Sequence, residues 1–276
     1  MSKSKIDLSS IGKTKEGSFK YDWKRVVLYN LGIGAQAEDL PFVYEKVKGG
    51  LKVFPSFATI AGGSALFFPG GTDFVRLLHG EQLIRLYKPF SPKGTIKTEA
   101  LIENIFDKGK AAVFHIKISG HSKGNHIFDT RYVFFVGGSG GFGGDPGPKT
   151  EPLNPPEGVK PDFSISFQTD KNSAAWYRLN GDFNPLHIDP KFAKMARQPK
   201  PILHGLCTYG IATRSIVYGL CEGDVSRFKE FNARFKGVVL PGETLTTEGW
   251  KDNGRYIIQV RKENTVVLGN AYAIVE

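Results

Sequence analysis

The chain has 276 residues, 40% of them hydrophobic, and carries 37 Lys and Arg against 27 Asp and Glu, a formal net charge of +10. That length and apolar content support a sizeable core, in one large domain or two of ordinary size. Its two cysteines, Cys207 and Cys221, share one apolar stretch, which argues against a disulfide scaffold or a thiolate-rich zinc site and reads as buried thiols in a reducing compartment. The basic residues are scattered singles and pairs such as Lys24-Arg25, without the long block or basic-aromatic repeat of a nucleic-acid or membrane surface.

In chain order, the amino terminus MSKSKIDLSSIGKTKEG is polar and lacks the apolar centre of a secretory signal. No apolar run reaches the roughly 20 residues of a membrane-spanning helix, so a soluble product without membrane insertion is expected. The segment FATIAGGSALFFPG is broken by Gly62, Gly63, Pro69 and Gly70, which leaves the first half without a clear long helix. Three strand signals follow, LIENIF, AAVFHIKI and RYVFFV, rich in β-branched and aromatic residues. His115, His121 and His126 have no compact ligand spacing, and HSKGNH reads as a hairpin loop.

A Gly/Pro-rich passage, GGSGGFGGDPGPKTEPLNPPEGVKP, then marks a linker at 137–161 between a repeat at 1–136 and another at 162–276. Gly138, Gly140 and Gly143 have the GxGxxG spacing, but Pro146 and Pro148 stand where a dinucleotide site needs a helix. Beyond the linker, Asn172 is a candidate cap for AAWYRLN and Asp189 for KFAKMA. HGLCTYGIATRSIVYGL, 204–220, predicts a long central helix wrapped by a sheet, with Arg214 snorkelling from it. PGETLTTE at 241–248 repeats the Pro, Thr, Thr and Glu of PKGTIKTE, 149 residues earlier. RFKG at 234 likewise echoes RLYK at 85, and the strand signals TLTTEGW, RYIIQV and TVVLGNAYAIV follow. Two halves built to one plan are expected, each ending in an antiparallel meander.

The chemistry-bearing segment is YRLNGDFNPLHIDP, 177–190. Gly181 permits unusual backbone angles and Pro185 fixes one dihedral, so Asp182, Asn184 and His187 sit on a constrained turn. A carboxylate beside an imidazole suits water addition to an alkene conjugated to a thioester, where one proton leaves water and another reaches the alpha carbon. The same residues also read as a turn cap, an Asx turn and a core histidine.

NGDFNPLH, followed by Gly205 in PILHGLCTYG, closely resembles the signature of the (R)-specific enoyl-CoA hydratase 2 family of MaoC-like dehydratases. YNLGIGA at 29, LLHGEQ at 77, LYKP at 86 and FFVGGSGGFGG at 134 extend the resemblance over nearly the whole chain. It implies an α+β double hot-dog fold, two repeats each with an antiparallel sheet around a helical element. It also implies syn hydration of trans-2-enoyl-CoA to (3R)-3-hydroxyacyl-CoA in fatty acid beta-oxidation. Asp182 and His187 would activate water and share the proton transfers, Asn184 would orient the water or the dyad, and Gly205 N–H would hold the thioester oxygen. The first half has no second GDxNPxH, so one active site is expected, with the first repeat enlarging the acyl pocket. His79 and Glu81 are expected at a domain contact or the edge of the ligand site, and His204 at the helix terminus. Lys88, Arg85, Lys191 and Lys194 read as solvated cations rather than phosphate ligands.

The resemblance further implies no cofactor or metal beyond the coenzyme A of the substrate, a homodimer, and, in longer relatives, dehydrogenase and sterol-carrier domains. A peroxisomal location follows from it, although AYAIVE is no Ser-Lys-Leu address, and the cytoplasm is the alternative. The rival readings are a hot-dog acyl-CoA thioesterase, a catalytically inactive acyl-CoA-binding domain and, with the family set aside, a basic RNA-binding β-domain.

Overall fold

A computed structural model describes residues 6–149 and 151–276; residues 1–5 of the polar amino terminus and Thr150 of the expected linker lie outside the described residues. The first half runs β1 (Thr14–Tyr21), α1 (Trp23–Gly32), α2 (Leu40–Val43), α3 (Phe57–Gly62), β2 (Leu77–Leu86), β3 (Gly94–Asp107), β4 (Ala111–Ser122) and β5 (Asn125–Gly137). The second runs β6 (Phe163–Gln168), α4 (Ser173–Tyr177), α5 (Pro190–Met195), α6 (Gly205–Cys221), β7 (Phe228–Phe235), β8 (Thr244–Asp252), β9 (Arg255–Lys262) and β10 (Thr265–Val275).

All strands pair antiparallel in one ten-stranded sheet of order β1-β3-β4-β5-β2-β7-β10-β9-β8-β6. If β1 corresponds to β6, β2 to β7 and so on, that order reads the same from both ends. The structure therefore realises the expected double hot-dog plan. The halves meet at β2 and β7, where Glu81 stands opposite Arg234 and Arg85 opposite Glu230. Both cross-strand pairs are ion pairs, so the register carries charge complementarity as well as backbone bonds. Arg85, expected as a solvated cation, reaches Glu230 at 2.5 Å, and the carboxylate beside its guanidinium raises its pKa further.

The six strand signals of the two meanders fall inside β3, β4, β5, β8, β9 and β10. β1 and α1 lack so clear a signal: β1, TKEGSFKY, is mostly exposed along its length and has little apolar alternation. The glycine-rich stretch after β5 forms no helix; instead the Asp107 carboxylate accepts from the amides of Gly109, Gly141 and Gly143 at 2.7–2.8 Å. Those amide donors, Gly141 first, lower its pKa to about 2.

α6 is apolar nearly all round and is the buried axis of the second half, with Ile211, Ile216 and Val217 at most 1% exposed. Each such side chain contributes about 1.5–3 kcal/mol by burial. Gly210 lets α1 approach, since a Cβ there would lie 2.4 Å from Ile33 Cγ2. The helix ends at Glu222 in the left-handed conformation, with Gly223 N–H bonded to Val217 O. α3 occupies the matching place in the first half but has only six residues, as the Gly62–Gly63 break leads one to expect. Arg214 does not snorkel from α6: its side chain is 11% exposed and faces Asp39 of the first half at 3.6 Å.

Candidate active site

The functional turn follows α4. Asn172 occupies the N-cap position but makes no side-chain capping bond, which corrects its expected role; Asp170 Oδ1 instead accepts from Asn172 N–H at 2.6 Å. The chain then leaves a 3-10 turn through Gly181 at φ 121°, a conformation that disfavours a side chain. The reversal is secured from the first half: Arg25 Nη2 donates to Asn180 O at 2.8 Å. Asn184 Oδ1 accepts from Leu186 N–H at 3.0 Å and caps the 3-10 turn Pro185–His187. Asn184 thus orients the turn that carries His187. Asp189 caps α5 as expected, through the amides of Lys191 and Phe192.

Asp182, Asn184, His187 and Gly205 all line one cavity of about 700 Å³. His187 is buried, and its Nδ1 lies 2.9 Å from Ile202 O. A carbonyl only accepts, so Nδ1 carries the hydrogen and Nε2 keeps its lone pair. Burial lowers the pKa of His187 from 6.5, against the raising effects of Ile202 O and Asp182, which favours the neutral base at pH 7. Ligand atoms of Asp182, His187 and His204 lie within 4.8 Å of one another. One water hydrogen-bonded to two partners spans on the order of 5 Å, so a single water fits between carboxylate and imidazole. Gly205 opens α6, where first-turn amides have no internal acceptor and the helix dipole favours negative charge. A Cβ on Gly205 would sit 3.2 Å from the Phe235 ring.

Both halves build the cavity. Ile60, Leu66, Phe68 and Phe134 come from the first half, and Leu206 and Phe235 from the second. His79 of β2 also lines it, at a register shift between His79 and Glu81, with its ring 4.9 Å from Phe235. Its expected place at a domain contact and ligand-site edge is thus observed. Burial lowers its pKa to about 4. Arg25 is among the lining residues that sequence reasoning missed; its signal was Asp22, whose carboxylate accepts from Arg25 N–H and opens α1. His121 and His126 stack across the β4–β5 hairpin, and His115 packs on Phe106, away from the cavity lining.

Asp182, His187 and His204 are, among the described residues, a group close enough to hold a metal ion. The imidazoles lie face to face, centroids 3.7 Å apart at 26°. His187 Nδ1 and His204 Nε2 each donate to a backbone carbonyl, Ile202 O and Asp182 O, so each imidazole has one ring nitrogen left as a possible ligand.

Comparison with known proteins bears on the whole chain. Residues 19–138 match the MFE-2 hydratase 2 N-terminal domain and 153–272 the MaoC like domain. An enoyl-CoA hydratase 2, peroxisomal, of Arabidopsis thaliana is 38% identical over 286 residues, covering 95% of this chain and 93% of its own length. The peroxisomal multifunctional enzyme type 2 of Mus musculus is 40% identical over 270 residues, covering 92% of this chain, which spans only 36% of that longer protein. The crystal structure of a MaoC-like dehydratase from Phytophthora capsici superposes with a TM-score of 0.88 at 27% identity, covering 98% of each chain. The chain belongs to the enoyl-CoA hydratase 2 family of MaoC-like dehydratases.

Proposed function

We propose that this chain catalyses the reversible syn hydration of trans-2-enoyl-CoA to (3R)-3-hydroxyacyl-CoA in fatty acid beta-oxidation, with Asp182 and His187 as the catalytic pair. The observation that carries this reading is the convergence of the Asp182 carboxylate, the lone pair of His187 Nε2 and the Gly205 amide on one apolar-walled cavity. Water held by Asp182 and His187 gives its oxygen to C3. The C2=C3 pair moves toward the thioester, and the growing negative charge on its oxygen meets the Gly205 N–H. The dyad takes one proton from water and returns one to C2, so its protonation is unchanged over the cycle. Asn184 holds the turn, and the first repeat supplies walls for the acyl chain rather than a second reacting set.

The peroxisome is the proposed location, supported by relatives named as peroxisomal. A homodimer is proposed as well; light scattering that finds a monomer at every concentration would refute it. The deciding experiment is a chiral product assay with trans-2-decenoyl-CoA on the native chain, Asp182→Ala and His187→Ala. The (3R) product, reduced about a hundredfold or more in each variant, is expected. Release of free CoA without hydration would identify a thioesterase, and tight binding without turnover an inactive acyl-CoA-binding domain.

A further inference from the structure

We infer that His204 is a positioning residue for the hydration, tying the loop of Asp182 to the helix start that presents Gly205 and holding the His187 ring between them. This inference rests on the hydratase reading above. His204 occupies the N-cap position of α6, where Ser, Asn or Asp would bond to first-turn amides, yet its side chain makes no capping bond. Its ring turns instead toward the site and is only 1% exposed. Nε2 lies 3.2 Å from Asp182 O, and because a carbonyl accepts, His204 donates. The residue next to the oxyanion donor is thereby bonded to the residue that bears the carboxylate. One face of the ring packs on His187 at 3.7 Å, and Tyr177 lies 4.9 Å away.

An imidazole is an odd choice if the position only fills space. Its Nδ1 is buried without a hydrogen-bond partner among the described residues, a cost that a phenyl ring of similar size would avoid. The Nε2–H donor is what phenyl lacks. The ring must also stay neutral, since a second cation would oppose the proton that His187 takes up. Burial and the neighbouring His187 lower the pKa of His204 to about 4, with Arg178 adding to this and Asp182 opposing it. The positive end of α6 acts in the same direction. His79, from β2, shares the cavity lining and is itself kept neutral by burial.

Two substitutions separate the two contacts. His204→Phe keeps a ring against His187 but loses the bond to Asp182 O; His204→Gln keeps a donor of similar reach but loses the ring. Both are assayed beside the native chain and Asp182→Ala for kcat, KM, the pH profile of kcat and Tm. The Phe variant is expected to lose about tenfold or more in kcat, with KM within about threefold and the acid limb in place. The Gln variant is expected to recover part of kcat, while its acid limb moves up in pH because His187 regains solvent. Native kcat in the Phe variant with an unmoved acid limb in the Gln variant would overturn the inference. So would losses that only track the fraction of folded protein. A native chain without hydration would overturn the hydratase reading and this inference together, whereas hydration that vanishes only in Asp182→Ala would leave that reading standing and remove this one.

Discussion

Laid over one another, the halves match Phe19 to Phe167, Tyr29 to Tyr177 and Leu31 to Leu179 at one interval, which also sets Gly34 against Asp182, Gln36 against Asn184 and Asp39 against His187. The same turn has opposite surroundings in the two places. In the second half it faces the open cavity, because α3 stops after six residues. In the first half it faces Arg214 and Tyr218 of α6, which belong to turns that α3 does not have. Asp39 there accepts from Gln36 N–H at 2.8 Å and Tyr218 O–H at 2.9 Å, and Arg214 stacks over Phe167 at 5.0 Å. Duplication thus supplied two equivalent corners: α6 packs on the inner side of the first, whose residues 34–37 line a separate cavity of about 770 Å³ with Phe167 and Trp176, while the second opens on the cavity that holds Asp182 and His187.

The largest effect on turnover tests the open corner. Asp182→Ala should lower kcat/KM about a hundredfold, or roughly 3 kcal/mol of transition-state stabilisation, with little change in Tm. The matching place in the closed corner should answer in stability instead. At Gly34 a Cβ would lie 2.5 Å from the Phe167 ring and φ is 96°, so Gly34→Ala should cost about 2–3 kcal/mol in urea unfolding while kcat holds. An unaltered unfolding midpoint in Gly34→Ala would show that the closed corner is not packed as described.

Much of this comparison is legible in the residues. The repeated PKGTIKTE and PGETLTTE mark the duplication, the Gly62–Gly63 break foretells a short α3, and the unbroken GDFNPLH segment names the turn. What pattern alone misses is set by tertiary contact. β1 takes its strand form from pairing with β3 at one sheet edge rather than from its own apolar alternation. Arg214 reads as a snorkelling cation on an apolar helix because Asp39, its partner, is distant in sequence. Arg25 is hidden for the same reason, its acceptor being Asn180 O in the other half. Asn172 shows the converse: the residue type fits a cap, but Asp170 supplies the carboxylate that holds the turn.

Acidity should weaken the open side. Burial lowers His79 and His204 to about 4, below the ordinary value of 6.5. As pH falls below 6.5 the unfolded chain binds protons that the native chain refuses, so stability falls with pH until the native rings titrate near 4. Thermal or urea unfolding at pH 5 should show a loss of roughly 2 kcal/mol for each ring relative to pH 7, about 4 for the two, with the His204 share absent in His204→Phe. Turnover should persist to below pH 6.5 and then decline, because burial also lowers the pKa of His187.

The smallest effect gives the sharpest test of separation between the corners. Asp39→Asn keeps its one oxygen for Gln36 N–H, offers Nδ2–H to the Tyr218 hydroxyl, which then accepts instead of donating, and removes the charge opposite Arg214. Arg214 retains the Phe167 and Tyr218 rings, so the guanidinium is not left without favourable contacts. With the two side chains 11% and 22% exposed and 3.6 Å apart, the charge should contribute about 1 kcal/mol, below the cost of breaking a fully buried pair. That loss should appear in the urea midpoint, with kcat and KM for trans-2-decenoyl-CoA unmoved. If KM rose instead, α6 would be transmitting strain from the filled corner to the Gly205 end that faces the open one, and the halves would have to be treated as one coupled site.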